Sequence, residues 1–262
     1  MRVGVVGLGV VGSAQAYLMN KLGYEIIGYD ITNRELDYVE PTSDLSAMRS
    51  CDVVFVCTPD DAVPEVVDGL VAHGVDFIVI KSTVPPKTTV NLMRKYGVHI
   101  CHNPEFLRER YAYHDILNQS RIVIGKCCDE HARLLVELYR PLNTPIYVVD
   151  PTTSEIIKIV TNCLRATMIS FWNEVHELCR VLNVDTKTVA EVVNPAKAIG
   201  EWEGGDWGTR FFGKPFGGKC LPKDLQHLIL ALESNNIPAY VLRGVHNRNE
   251  NLEELLVKSG RL

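Results

Sequence analysis

The chain has 262 residues, 46% of them hydrophobic and 23% charged, with a formal net charge of −5 and a pI near 5.9. That apolar content excludes intrinsic disorder, and no unbroken apolar run reaches the roughly 18 residues of a membrane span. The mild acidity lacks the basic excess that neutralises phosphates, so neither a nucleic acid nor a membrane is expected as a partner.

At about 150 residues per domain, the length predicts two domains. The eight cysteines at 51, 57, 101, 127, 128, 163, 179 and 220 include no C-x-x-C pair. This spacing points to neither a zinc knuckle nor a secreted disulfide framework, so reduced thiols, a cytoplasmic location and no metal are expected. Arg2, an apolar run and Ala14-Gln15-Ala16 imitate a signal peptide, but Gly7, Gly9 and Gly12 would weaken its helix.

In chain order, strands are expected over 2–6, 25–29, 52–57, 77–81, 98–101 and 121–124, separated by helical or turn segments. Such near-continuous Val/Ile runs suit a parallel sheet covered on both faces, an α/β pattern. The first strand leads into Gly7-Leu8-Gly9-Val10-Val11-Gly12, and a helix is expected over 11–22. Glycine serves there for the tight turn, for close approach of backbone to a pyrophosphate, and for packing of helix on strand, with the diphosphate on the helix N-terminus. The alternative is a glycine-rich turn before a buried helix. Asp30 ends the next strand, where a carboxylate accepts hydrogen bonds from an adenosine ribose and repels a 2′-phosphate. NAD is therefore expected rather than NADP.

Beyond Asp150-Pro151 the character changes to long helical periodicity, so the boundary is expected there: 1–150 as a Rossmann-like, doubly wound NAD-binding domain, and 151–262 as a mostly helical central domain. Thr152, with Glu155 three residues on, reads as a capping box opening a helix over 152–182. Lys158 and Asn162, four residues apart, share one face of it among Ile156, Ile157, Ile159, Val160 and Leu164. A helix apolar nearly all round should be buried, and a buried ammonium needs a partner or a task. A snorkelling lysine with a structural amide is the alternative. In Phe216-Gly217-Gly218-Lys219-Cys220-Leu221-Pro222-Lys223-Asp224, Pro222 fits the first position of a helix running to about 233. Cys220 then stands ahead of that helix N-terminus, where the dipole with Lys219 and Lys223 would favour a thiolate. A last helix is expected over 239–257.

Together these segments resemble the UDP-glucose/GDP-mannose dehydrogenase family. The resemblance rests on Gly7 to Gly12 with Asp30, Lys81-Ser82-Thr83-Val84-Pro85-Pro86, Asn103-Pro104-Glu105-Phe106-Leu107-Arg108-Glu109, the Lys158/Asn162 helix with Asn173-Glu174, and Phe216 to Asp224, in the family's order over nearly the whole chain. It implies oxidation of the C6 alcohol of a nucleotide sugar to a carboxylate with two NAD. Cys220 would add to the intermediate aldehyde and pass through a thiohemiacetal to a thioester, because a second hydride leaves only from a tetrahedral carbon. Lys158 and Asn162 would stabilise the oxyanions. Asp224 and Thr83 would position water or relay protons, and Glu105 would act as general base. The cofactor contacts it implies are Gly7, Gly9, Val10, Val11, Gly12, Asp30, Thr58, Pro59, Ser82 and Thr83, with Glu109 on the nicotinamide side and Lys223. The substrate contacts are Glu105, Phe106, Leu107, Lys158, Asn162, Phe216 and Gly217. Pro104 to Leu107 resembles the UDP-glucose branch, and a homodimer is implied.

The chain also departs from the family pattern. The stretches from Asp30 to Asp52 and from Pro59 to Phe77 are short, Gln119-Ser120 replaces a proline and an acid, and Lys214-Pro215 stands where glycine is usual. The sequence stops at Leu262, whereas family members continue into another Rossmann-like domain. A short form without that domain is expected, either active or reduced to a non-catalytic NAD-binding protein or partner subunit.

Overall fold

The computed structural model describes residues 1–32, 34–193, 213–218 and 220–258. It divides into two compact units, Met1–Lys158 and Ile159–Leu262.

The first unit is built on eight strands: β1 (Arg2–Val6), β2 (Glu25–Tyr29), β3 (Glu40–Thr42), β4 (Val53–Val56), β5 (Phe77–Ile80), β6 (His99–His102), β7 (Ile122–Gly125) and β8 (Ile146–Val149). They form one sheet in the order β3-β2-β1-β4-β5-β6-β7-β8. The first six are mutually parallel; β7 joins β6 antiparallel at His102–Gly125, and β8 runs parallel to β7. The order 3-2-1-4-5-6 is that of doubly wound dinucleotide-binding sheets, whose ligand crevice opens where the order reverses, here between β1 and β4. Period-2 burial supplies both cores. Val53, Phe55, Phe77 and Val79 face one cluster with residues of the helices α1 (Val10–Lys21), α4 (Ala112–Leu117) and α5 (Asp129–Tyr139). Val54, Val56, Ile78 and Ile80 face the other, with α2 (Val63–Ala72) and α3 (Thr88–Tyr96).

The two strands without a sequence expectation, β3 and β8, lie at the sheet's edges. β3 carries Pro41, which a strand bonded on one side alone tolerates, and Tyr147 and Val148 of β8 are exposed, so neither reads as a buried run.

The long helix α6 (Pro151–Val181) starts differently from the expected capping box. Asp150, not Thr152, caps it, accepting from Thr153 N at 3.0 Å. Glu155 is fully buried and reaches away, its two oxygens accepting from Lys87 N at 2.6 Å and Thr89 N at 2.8 Å. There it caps α3, whose own preceding residue, Lys87, has φ of 75° and offers no side-chain cap. A free N-terminus elsewhere in the fold outcompetes the local capping partner.

In the second unit, α6 residues Ile159, Cys163, Ala166 and Ile169 pack with Phe216, Leu225, Ile229 and Val245. Leu225 and Ile229 belong to the helix Leu221–Glu233 and Val245 to the helix Tyr240–Lys258, close to the expected spans. Helix α6 is not buried all round as expected. Val160, Leu164, Phe171, Leu178 and Val181 are exposed, because the described residues cover only one side of the helix.

His102 ends β6 fully buried. Its Nε2 faces the Ser82 carbonyl at 3.3 Å, an acceptor, so Nε2 carries the proton and Nδ1, 2.8 Å from Ser154 Oγ, accepts. Burial, with the nearby Lys81 and Lys158 charges, pushes its pKa down to about 3. The unfolded chain, with a histidine pKa near 6.5, binds this proton first, so the stability the neutral ring contributes is complete above pH 6.5 and is lost as pH falls toward 3. Between pH 6.5 and about 5, thermal unfolding followed by circular dichroism should fall with a slope containing up to about 1.4 kcal/mol per pH unit from this residue. His102→Gln should flatten that slope, and an unchanged slope would remove His102 as its source.

Candidate active site

The N-terminal loop is fixed by contacts that admit only glycine. Gly7 sits at φ of 87°, and a Cβ on Gly12 would stand 1.8 Å from the Gly7 carbonyl oxygen. Gly7 also lies against Cys57 and Thr58 at the end of β4, the crevice side of the sheet. Helix α1 opens at Gly9 with no side-chain cap and no acidic residue in its first turn, and the space beyond Gly9 is open. Val10 is exposed and Val11 half-buried beside it. Thr58 Oγ1 is buried with no hydrogen-bond partner, and Pro59 follows it, exposed. Ser82 Oγ donates to the Thr58 carbonyl at 2.6 Å, joining the ends of β4 and β5, and Thr83 follows, half-buried. An uncapped helix N-terminus, open space and an orphaned hydroxyl fit a dinucleotide diphosphate.

Asp30 has a structural task beside the expected one. One oxygen accepts from Leu8 N at 2.7 Å and the other from Thr32 N at 2.8 Å. Partial burial opposes its charge, but the hydrogen bonds from Thr32 and Leu8 and the Arg34 guanidinium outweigh this and hold its pKa below the ordinary carboxylate value. Arg34 in turn donates to the Leu8 carbonyl at 2.6 Å.

Glu109 lines a cleft of about 500 Å³ with Val10, Ser13, Arg34 and Leu36. The chain after β6 crosses toward α1, where Tyr113 joins Tyr17 and Tyr38, their rings 5.2–5.5 Å apart.

At the far end of the same sheet edge lies a buried ion pair. Lys158 Nζ is 3.0 Å from Glu105 Oε1. Glu105 Oε2 accepts from Leu107 N at 2.5 Å, and the Lys158 ammonium also lies 5.6 Å from the centre of the Phe106 ring. The expected base and the expected oxyanion-stabilising cation are thus partners. A second ammonium, Lys81, is buried nearby and was assigned no role from sequence. It donates to Asn103 Oδ1 at 2.9 Å, which also accepts from Tyr139 OH at 2.6 Å, itself bonded by Gln15. Burial lowers its pKa to about 8.

In the second unit, Cys220 is exposed and caps the helix Leu221–Glu233, its carbonyl accepting from Asp224 N at 2.9 Å. Pro222 lies in the first turn of that helix and Lys223 is half-buried beside it, while Lys219 lies outside the described residues. Asp224 is fully buried and accepts from Asn162 Nδ2 at 2.5 Å. Phe216 is buried and Gly217 exposed.

The loop before Cys220 is gripped by two asparagines that sequence reasoning gave no role. Asn249 both donates to the Phe216 carbonyl, at 3.0 Å, and accepts from its N–H, at 2.8 Å. Asn173 does the same for the Lys214 carbonyl and the Gly213 N–H, at 2.9 and 2.6 Å. The available signal was an amide among the apolar positions of each helix. A group that the sequence reading did not single out, His99, Cys127, Cys128 and His131, converges in the first unit. A search for C-x-x-C alone misses Cys127-Cys128-x-x-His131.

The description of the UDP-glucose/GDP-mannose dehydrogenase family fits this chain twice, its NAD-binding domain over residues 32–143 and its central domain over residues 152–251. The chain belongs to this family. Its cofactor is NAD and it is an oxidoreductase. Among relatives of the family, a UDP-glucose 6-dehydrogenase of Bacillus subtilis (strain 168) is 28% identical, the match covering 98% of this chain and 68% of that one. A GDP-mannose 6-dehydrogenase of Pseudomonas syringae pv. syringae is 29% identical over 95% of this chain and 68% of its own. The structure of a UDP-glucose dehydrogenase from Pyrobaculum islandicum superposes with a TM-score of 0.86 at 28% identity, covering 95% of this chain and 68% of that chain. A GDP-mannose dehydrogenase ternary complex from Pseudomonas aeruginosa gives 0.71 at 25% identity, covering 96% and 69%.

Proposed function

We propose that the protein oxidises the C6 alcohol of a nucleotide sugar to a carboxylate through Cys220, with UDP-glucose, giving UDP-glucuronate, first among its substrates. The observation that carries this is the exposed thiol at the head of a helix whose buried Asp224, one turn on, is tied to Asn162. A scaffold has no use for such an arrangement. Pro104 to Leu107 favours UDP-glucose, while relatives named for UDP-glucose and for GDP-mannose are about equally similar, at 28% and 29% identity.

Gly7 to Gly12 and the helix N-terminus hold the cofactor's diphosphate, Asp30 its ribose, and Thr58, Pro59, Ser82 and Thr83 border it. NAD supplies the hydride acceptor for both oxidations. The C6 hydroxyl gives up its proton to water held by Asp224 and Thr83 as the first hydride leaves, yielding the aldehyde. The Cys220 thiolate then adds to the carbonyl carbon, and the oxyanion of the thiohemiacetal is held by the Lys158 ammonium and the Asn162 amide. Loss of a second hydride leaves a thioester. Water, positioned by Asp224 and Thr83 and deprotonated by Glu105, adds to it and expels the thiolate. The Glu105–Lys158 pair suits both tasks, because at 3.0 Å each group holds the other in place. Phe106, Leu107, Phe216 and Gly217 frame the sugar, and Lys223 borders the cofactor.

Cys220→Ser should keep the fold and NAD binding, since the residue is exposed and a hydroxyl is nearly isosteric. NADH formation on a panel of UDP- and GDP-sugars should drop on the order of 10³-fold or more. In the wild type, iodoacetamide should label Cys220 faster than the other seven cysteines, and the best substrate should protect it. Full activity in the variant would overturn the Cys220 route, and a wild type that forms no NADH with any sugar of the panel would leave the non-catalytic NAD-binding reading as the better one.

The uncovered stripe Val160, Leu164, Phe171 and Leu178 on α6 supports a homodimer formed through that helix. Light scattering should give twice the 29.3 kDa of the chain, and Phe171→Glu should return it to the monomer. A monomeric wild type at micromolar concentration contradicts this.

A further inference from the structure

Away from the dinucleotide loop, four side chains from two stretches of the chain converge. Cys128 Sγ lies 3.1 Å from His131 Nδ1 and 4.0 Å from His99 Nδ1, Cys127 Sγ lies 3.8 Å from His99 Nδ1, and the two sulfurs are 4.0 Å apart. All four ligand-capable atoms fall within 4.8 Å of one another, the one such group among the described residues. In a tetrahedral zinc site, with Zn–S about 2.3 Å and Zn–N about 2.0–2.1 Å, neighbouring sulfurs stand about 3.8 Å apart and sulfur and nitrogen about 3.6 Å. The observed spacings scatter about those edges, so the side chains need little movement to close on an ion.

The topology explains how they meet. His99 opens β6, and β7 runs back beside it, paired at His102–Gly125, so the residues just past the end of β7 arrive next to His99. Those residues are Cys127 and Cys128. Cys128 caps α5, and His131 lies in the first turn of that helix. Because β6 is parallel to β1 through β5 and β4, its first residue lies at the sheet edge opposite the one from which the Gly7–Gly12 loop leaves β1. The cluster is thus remote from the dinucleotide crevice.

Its surroundings also suit an ion. Buried Cys101 stands behind Cys127, with its thiol donating to the Cys127 sulfur at 3.5 Å, as an outer partner of a metal-bound thiolate does. The His131 ring packs on Phe77 at 4.3 Å and on His99 at 4.1 Å between centroids, which restricts both imidazoles.

We propose that His99, Cys127, Cys128 and His131 bind one Zn²⁺ as a structural site that ties the reversed pair β7–β8 to the parallel part of the sheet. Two thiolates and two imidazoles in a tetrahedron select zinc among the common divalent ions. Four protein ligands leave no open position, which makes the site structural rather than catalytic.

Cobalt titration of the whole 262-residue protein, prepared under reducing conditions and stripped with a chelator, tests this. One equivalent of Co²⁺ should give a thiolate-to-cobalt charge-transfer band and the intense visible bands of a tetrahedral ion, both abolished by one equivalent of Zn²⁺. Zinc should also raise the thermal unfolding midpoint in proportion to the logarithm of its concentration. Cys128→Ser and His131→Asn should lose the cobalt bands and the zinc-dependent shift while keeping the wild-type circular dichroism spectrum, and Cys51→Ser should lose neither. A wild type without charge-transfer bands, or bands unchanged in the Cys127→Ser/Cys128→Ser double variant, would overturn the site.

Discussion

The buried pair Lys158–Glu105 is the constraint around which the first unit's crevice is arranged. Removing either charge from its partner leaves the other buried and uncompensated, at a cost of about 3–5 kcal/mol, whereas an apolar pair of similar volume would often be as stable or more so. Retaining the pair therefore points to chemistry rather than to stability. Lys81 makes the same case nearby, as a second buried ammonium held by Asn103 and brought by burial to a pKa near 8. Two lysines and a carboxylate in a dry environment give a field suited to oxygen atoms that gain negative charge during a reaction.

Around these charges, polar side chains do the positioning that packing alone does not. Glu155 reaches from α6 to cap α3, so the start of the long helix and the segment after Thr83 are held by one carboxylate. Asn173 and Asn249 grip four backbone groups of the loop preceding Cys220. That loop contains Gly217 and Gly218, which leave it little side-chain packing of its own. The bidentate amides fix its path while Cys220 stays open to solvent.

What the sequence made legible was local. Gly7 and Gly12 are dictated by contacts with each other and with the end of β4, and the strands buried on both faces announce themselves as Val/Ile runs. The helix at Pro222 was visible for the same reason. Features that depend on distant partners were not legible. Glu155 looks like half of a capping box because its true partners, Lys87 and Thr89, are far away in sequence. β3 and β8 were missed because edge strands need no continuous apolar pattern. Glu109 lines the same cleft as Arg34 because of the route the chain takes over α1, and the His99, Cys127, Cys128 and His131 cluster depends on the reversal of β7 against β6. Lys158 could be singled out as an ammonium in an apolar helix and Glu105 by the family resemblance, but their pairing across the fold could not.

The proposed thioester route is tested most directly by counting hydrides. With NAD in excess and a limiting amount of the best nucleotide sugar, the reaction should run to completion with two NADH formed for each sugar consumed, and the product should be the uronate. One NADH per sugar, with the C6 aldehyde accumulating, would contradict a route through a Cys220 thioester.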